Sequence, residues 1–299
     1  MATSHLEKSP IEARIIDVVT YPVKSLPGIS RHEGVLITEN GLQGDRVFTM
    51  ARMGKLGEVA SRLTLREYPQ LALLTTAYAN GGVELAAPDG NQLWLPDSAE
   101  GDRVQVKSWG GVVDGVHVSQ EANAWLSDYL HTSAQFLSVP DDHRRTMAED
   151  EQRDAATIYT GRATDGYPLH IASLASLRRL NAFRQEQGLD ALGIEQFRAN
   201  IIIDGEHLEP FVEDAMKNML LQGRERQVRI LSIKACERCV TVEVNPATGM
   251  KHGNVLASLR STQSEHPTDG KIVFGTWAAP SITSVGEVIQ RDQSIHISV

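Results

Sequence analysis

The chain has 299 residues, of which 41% are hydrophobic, and a formal net charge of −9. That length suits two modest domains or one large one, and that composition supplies a core. The acidic balance excludes a general binder of nucleic-acid backbone, which needs net or clustered positive surface, and no apolar run reaches the roughly 18 residues of a membrane span.

In chain order, Met1–Pro10 is polar and lacks the apolar stretch of a signal peptide. Two cysteines are too few for a disulfide framework. Both features point to a cytoplasmic, reducing-compartment protein. Arg14–Val23 (RIIDVVTYPV) is β-branched and reads as a strand, with shorter strands expected at Gly34–Thr38 and Arg46–Ala51. Gln70–Tyr78 (QLALLTTAY) is an apolar, β-prone run. Val83–Ala87 and Gln92–Leu95 flank Pro88-Asp89-Gly90-Asn91, a strong hairpin turn. Arg103–Lys107 and Val112–Val118 repeat the pattern around Gly110-Gly111. Glu121–Leu130 has helical periodicity. Asp141–Ala156 (DDHRRTMAEDEQRDAA) has almost no large apolar side chains and reads as a linker or mobile loop.

Beyond it, Ser173 is placed to cap a helix over Leu174–Gln187 that Gly188 ends, and Pro210–Leu221 is a weaker helical candidate. Phe197–Asp204, Gln227–Lys234, Val240–Val244 and Lys271–Thr276 read as strands. The fold class expected is mostly β (α+β), with two β-rich domains and few helices.

Cys236 and Cys239 form a Cys-x-x-Cys pair with four readings. A structural zinc site needs four ligands; His252 is suitably spaced, but thirteen residues separate it from His266 and a turn, Asn245-Pro246-Ala247-Thr248-Gly249, intervenes. A thioredoxin-like pair needs its first cysteine at a helix N-terminus, and a strand pattern follows here instead. Two ordinary buried cysteines are the third reading. The fourth is one thiolate holding a thiophilic metal, its ionisation favoured by Arg238 and Lys234 if they point the same way. The residues alone leave all four open.

Several separated segments together resemble the MOSC superfamily, and most nearly its members with an N-terminal β-barrel extension, which include the mitochondrial amidoxime-reducing components and bacterial relatives. The segments are Tyr21-Pro22-Val23-Lys24-Ser25, Gly41-Leu42-Gln43-Gly44-Asp45-Arg46, Tyr68-Pro69-Gln70-Leu71, Asp165-Gly166-Tyr167-Pro168, Ala175-Ser176-Leu177, Phe197-Arg198-Ala199-Asn200, and Cys236-Glu237-Arg238-Cys239 with Asn245–Gly249. Each is weak alone; their order along residues 14–290 is specific. The resemblance implies an N-terminal MOSC β-barrel domain over 11–140 and a MOSC β-barrel over 157–292, joined by 141–156, with strands of 14–50 as candidates to enter the second barrel.

The resemblance also implies a molybdenum cofactor with Cys239 as the metal ligand and no metal role for Cys236. Lys24 and Ser25 match a Lys-Ser that binds the pterin phosphate, and Arg46 matches an arginine suited to a bidentate phosphate contact; Arg46 would otherwise pair with Asp45. Arg198 and Asn200, placed on one strand face by alternation, would hold pterin edges or substrate. Thr164, Asp165 and Tyr167 match a loop facing the cofactor, Asp165 as a candidate proton relay, and Arg238 is a further cofactor contact.

Two segments depart from the pattern: Thr49–Ser61 matches poorly, and Phe274-Gly275-Thr276 stands where Phe-Gly-Gln is usual. No cysteine follows Cys239, so the C-terminal ferredoxin domain of some bacterial relatives is not expected; the N-terminal membrane anchor of the mitochondrial relatives is not expected either. The implied activity is reduction of small N-hydroxylated compounds such as amidoximes and hydroxylamines. A separate protein of the flavin reductase, ferredoxin or cytochrome type would donate electrons. The alternative is a cofactor or sulfur carrier without reductase activity, and a cofactor-free interaction protein is the third possibility.

Overall fold

A computed structural model describes residues 10–52, 60–97, 99–108, 111–143, 145–146, 157, 160–262 and 270–299. Its centre is a ring of seven strands. Ile201–Asp204 pairs with Leu169–Ser173, and the ring then runs through Val273–Pro280, Gln227–Glu237, Asn218–Gln222, Ser294–Ser298 and Ile11–Thr20 back to Ile201–Asp204. Closure removes the exposed strand edges that would template aggregation.

All neighbours in this ring are antiparallel except Leu169–Ser173 with Ile201–Asp204. A parallel pair needs a crossover, and the helix Leu174–Glu186 supplies it. Ser173 caps that helix by accepting from the Ser176 N–H at 3.0 Å. Gly188 follows at φ 68°, a left-handed conformation suited to glycine.

The chain's first strand shows how sequence becomes barrel. Ala13 and Ile15 face inward, then a bulge between Ile15 and Asp17 shifts the register, and Val18 and Thr20 resume the inward row. An extra residue in one strand does this without breaking the ladder. The interior is filled by Ile15, Val18, Ile171, Ile201, Ile203, Ile230, Ile295 and Ile297, all at 0% exposure. Each such side chain contributes roughly 1.5–3 kcal/mol of burial free energy, so the barrel joins the first and last segments of the chain firmly. Among the early strands, Ile11–Thr20 lies in this ring, and Val35–Thr38 pairs with Val288–Ile289 beside it.

The remaining early strands form a second layer. Phe48–Arg52, Ala134–Ser138, Gly111–His117 and Arg103–Ser108 make one sheet, edged by Ala60–Ser61. Thr75–Ala79, Gly82–Ala86 and Gln92–Pro96 make a meander whose second turn is the expected one at Pro88–Asn91. The helix Gln120–Leu130 buries Ala122, Leu126 and Leu130 against Phe48, Phe136 and Leu95. Val244, far away in sequence, belongs to this same core. It ties the segment after Cys239 to the N-terminal layer.

Five expectations need correction. Pro69–Leu73 is a 3-10 turn, and only Thr75–Ala79 is strand; Pro69 lacks an N–H and favours the first turn of a helix. Ile194–Phe197 is likewise a 3-10 turn, Arg198 is left-handed at φ 56°, and the strand starts at Ile201. Val240–Glu243 is a 3-10 turn, not a strand. Within 210–221 only Val212–Ala215 is helical, and Asn218–Gln222 is a barrel strand. The helix Val255–Thr262 was not anticipated; it is short, and it packs through Val255, Leu259 and the partly buried Leu256. Of the charged stretch 141–156, residues 144 and 147–156 lie outside the described residues, as do 53–59 of the poorly matching segment and Gly110 of the second hairpin turn.

Candidate functional site

Cys239 sits where the long strand Gln227–Glu237 ends and the chain turns. Its backbone is extended, at φ −117° and ψ 175°, and its carbonyl accepts the Val242 N–H that closes the following turn. The side chain is exposed. Its Sγ lies 3.3 Å from Thr241 Oγ1, and Arg66 Nη2 donates to it at 3.4 Å. Partial burial works against ionisation of this thiol, but the Thr241 hydroxyl and N–H, Arg66 and Arg238 outweigh it and hold the thiol below its ordinary range. Thiolate is the form that binds soft metals.

Cys236 is the opposite case. It is 1% exposed, and burial pushes its thiol up to about 11. Arg238 donates to Cys236 Sγ at 3.0 Å and to the Phe197 carbonyl at 3.0 Å, while its Nε has no partner among the described residues. Arg238 therefore braces Cys236 chiefly and assists Cys239 only from a distance. Lys234 lies over the Tyr167 ring, 5.3 Å from its centroid, rather than beside Cys239. The thioredoxin objection also changes its basis: a turn does follow, but a four-residue 3-10 turn after the second cysteine. Among the described residues no group of three or more His, Cys, Asp and Glu is placed to hold a metal. His266 lies outside them, and the His252 N–H is used in a backbone bond to Glu243.

A second set of residues converges from both layers around Tyr21. Arg46 and Arg198 cover its ring at 4.6 and 4.3 Å, each a cation–π contact. Burial raises the phenol to about 12, so it stays a neutral donor to the Ala199 carbonyl at 3.2 Å. Both arginines are left-handed, at φ 49° and 56°. That conformation is uncommon for a side-chain-bearing residue, and it recurs at functional sites.

Arg46 Nη1 contacts both Asp45 oxygens, at 2.6 and 2.5 Å, so the competing reading of an Asp45 pair is what this state contains. Asp45 also accepts from the Tyr21 N–H at 2.8 Å and from Asn200 Nδ2 at 3.1 Å. Asn200 is 1% exposed; its Oδ1 accepts from the His170 N–H at 3.2 Å and from Arg46 at 3.3 Å. Arg198 and Asn200 do not share a strand face, because Arg198 sits in the turn before the strand. They meet instead through Tyr21, Asp45 and Arg46. Arg198 donates to the Leu26 carbonyl at 2.6 Å, and burial lowers its guanidinium to about 10.

Lys24 links this set to the loop before Leu169–Ser173. Its ammonium, with 8% of the side chain exposed, donates to the Ala163 carbonyl at 2.5 Å and pairs with Asp165 Oδ1 at 2.9 Å. Arg62 Nη1 meets the same oxygen at 3.1 Å. Burial drops Lys24 to about 8 despite Asp165. At Asp165 the surrounding protein opposes ionisation, but Lys24 and Arg62 outweigh it and hold the carboxyl well below the carboxylate range. Asp165 is thus held as an ionised counter-charge to Lys24 and Arg62. Asp165 also presses on the Cys236 thiol, which places this cluster within electrostatic reach of the cysteine pair. Thr164 is buried beside Gly161, and Tyr167 is buried against Trp277 at 6.0 Å between centroids.

Between the layers lies a cavity of about 320 Å³ whose wall includes Ser25, Tyr21, Leu65, Glu195, Arg198 and Thr241. Ser25, at φ 75°, opens onto it. Cys239 is not in the wall, but its partner Thr241 is. Lys24, Arg46 and Asn200 are not in it either. Among the described residues, Lys24 and Arg62 pair with Asp165 and Arg46 pairs with Asp45. Sequence reasoning missed Arg62, Arg66 and Thr241. Arg66 lies two residues before the Tyr68-Pro69-Gln70-Leu71 motif, a usable signal; Arg62 lies beside the poorly matching segment Thr49–Ser61, and offers none.

Comparison with known proteins gives two family matches. The MOSC N-terminal beta barrel domain matches residues 12–133, and the MOSC domain matches residues 159–296. Mitochondrial amidoxime reducing component 2 of Rattus norvegicus is 30% identical over 235 residues, covering 77% of this chain and 66% of the rat protein. Mitochondrial amidoxime-reducing component 1 of Mus musculus is 27% identical over 285 residues, covering 90% and 79%. Molybdenum cofactor sulfurase of Caenorhabditis elegans is 24% identical over 291 residues, covering 95% of this chain and 36% of that protein. The chain therefore spans just under two thirds of the rat protein and about a third of the nematode one. No described helix is long and apolar enough to cross a membrane.

Proposed function

We propose that this chain, which belongs to the MOSC family, binds a molybdenum cofactor through Cys239 and reduces small N-hydroxylated compounds such as amidoximes and hydroxylamines. The observation that carries the reading is the Cys239 thiol: exposed, shifted toward thiolate and bonded to Arg66, beside a cavity whose wall includes its partner Thr241 and Arg198. The site fits the group in two respects. A soft thiolate suits a metal already held by sulfur, and the clustered cations Lys24, Arg46 and Arg62 suit a ligand that carries phosphate. The partnerless Nε of Arg238 is a further buried donor in this region.

When bound, the cofactor supplies two-electron oxygen-atom transfer chemistry. The chain's residues supply position and charge. Cys239 holds the metal, and Thr241 and Arg66 fix the direction of its sulfur. Lys24, Ser25 and Arg46 hold the phosphate. Arg198, with Asn200 behind it, faces the pterin or the substrate. Thr164 and Tyr167, both buried, set the position of the Asp165 loop. Reducing equivalents come from a separate protein of the flavin reductase, ferredoxin or cytochrome type.

A second reading has its own support. The similarity to a molybdenum cofactor sulfurase spans 95% of this chain, which favours a carrier that holds cofactor or sulfur without turnover. Chain produced in a host that makes the cofactor separates the two. Bound molybdenum with amidoxime reduction, given a chemical electron donor, supports the reductase; bound molybdenum without turnover supports the carrier. Full metal content and activity in Cys239→Ala would refute both.

A further inference from the structure

Lys24 and Arg62 grip one oxygen of Asp165 at 2.9 and 3.1 Å. The three partners are not alike. The two cations are built in, with 8% and 12% of their side chains exposed, whereas the Asp165 side chain is 61% exposed. Lys24 is also tied to the Ala163 carbonyl, and the two residues come from separate parts of the N-terminal half. Asp165 lies in an irregular loop, with buried Thr164 before it and Gly166 after it. Two nearly buried cations converging on a single exposed carboxylate form an anion site with an internal occupant, because burying two like charges together is unfavourable without an anion between them.

We infer that Asp165 holds the place of a phosphate group between Lys24 and Arg62, and that a phosphate-bearing ligand binds by displacing it, with Arg62 completing the clamp. The exchange is chemically even. A carboxylate leaves and a phosphate with more charge and more acceptor oxygens arrives, so both cations stay paired throughout. Rotation of the exposed Asp165 side chain suffices, while Thr164 and Tyr167 remain buried. Arg46 adds to the positive field at both Lys24 and Asp165, which favours the more highly charged occupant. This deepens the cofactor reading by assigning Arg62 and a displacement step to its phosphate subsite; the anion site itself stands on the geometry alone.

Inorganic phosphate is the probe, titrated calorimetrically into the purified full chain. A site whose competent state is only fractionally open binds more weakly by that fraction, so Asp165→Asn should bind phosphate on the order of tenfold or more tightly than wild type. Adding Arg62→Gln to that variant should abolish the gain. Asp165→Glu should stay near wild type, and Glu67→Gln, which removes an exposed carboxylate bonded to Arg52 and Thr64, should do the same. Equal or weaker phosphate binding by Asp165→Asn overturns the inference, as does an equal gain in Glu67→Gln. Should Asp165→Asn not fold, a crystal structure of the wild type with saturating phosphate decides. Phosphate on Lys24 and Arg62 with Asp165 turned away supports displacement; Asp165 still on both cations refutes it. Because no cofactor is used, failure here is distinct from failure of the molybdenum reading, which metal and pterin analysis reports.

Discussion

Arg66→Gln isolates the electrostatic support of Cys239. The guanidinium donates to Cys239 Sγ at 3.4 Å from an exposed position on the N-terminal layer, so solvent screens it heavily. An exposed ion pair is worth about 0.2–1 kcal/mol, which corresponds to a factor of about 1.4–5 in an equilibrium. The sign follows from which form Arg66 favours. It stabilises thiolate, so its removal raises the thiol and lowers the thiolate fraction near pH 7. Alkylation by iodoacetamide, which reads thiolate, should therefore slow by about 1.4- to 5-fold in Arg66→Gln. Cys236 is buried and stays silent under native conditions. Arg62→Gln is the internal control, because Arg62 bonds Asp165 and not the thiol. An unchanged or faster rate in Arg66→Gln, or an equal slowing in Arg62→Gln, would refute the assignment.

Three other outcomes follow from the same geometry. Lys24 loses its proton near pH 8 rather than 10.5, so sulfate binding to the apo chain should weaken as pH rises through about 8, and Lys24→Met should abolish that step; flat calorimetric affinity from pH 7 to 9 would contradict it. Phe197 and Phe274 stack at 3.8 Å between centroids and are both at 0% exposure, so Phe274→Ala should cost about 3–5 kcal/mol. Denaturant unfolding checks this, and a loss under about 1 kcal/mol would contradict the packing. Gly275 has φ 72°, and an added Cβ would meet the Ile171 carbonyl at 2.4 Å and His170 Nε2 at 2.5 Å. Gly275→Ala should lower the melting temperature and loosen His170, whose imidazole burial lowers to about 3 and which bonds the Phe274 carbonyl at 3.0 Å; an unchanged melting curve would count against that close approach.

Much of the fold was legible where local pattern and tertiary environment agree. β-Branched content marked the first strand, read at Arg14–Val23 and found at Ile11–Thr20, the Pro88–Asn91 turn marked its hairpin, and Ser173 and Gly188 bounded the crossover helix almost as read. The 3-10 turns at Pro69–Leu73, Ile194–Phe197 and Val240–Glu243 were not legible. Each is too short to show a helical period, so its few apolar residues read as readily as a strand. The site divides the same way. Lys24, Arg46, Arg198, Asn200 and Cys239 entered through motifs, but their partners are tertiary. Nothing local foretells that Arg66 reaches Cys239 across 173 positions, or that Arg62 meets Asp165 across 103. The left-handed turns at Ser25, Arg46 and Arg198 also escaped notice, since none carries the glycine that normally signals one.

The central claim is that one thiolate, Cys239, holds a molybdenum cofactor. The most direct test is molybdenum and pterin content of wild type and Cys239→Ala, both made in a cofactor-producing host and both checked for folding. The account predicts about one molybdenum and one pterin per wild-type chain, and molybdenum near background in Cys239→Ala. Equal molybdenum in the two proteins, or none in wild type, would contradict it.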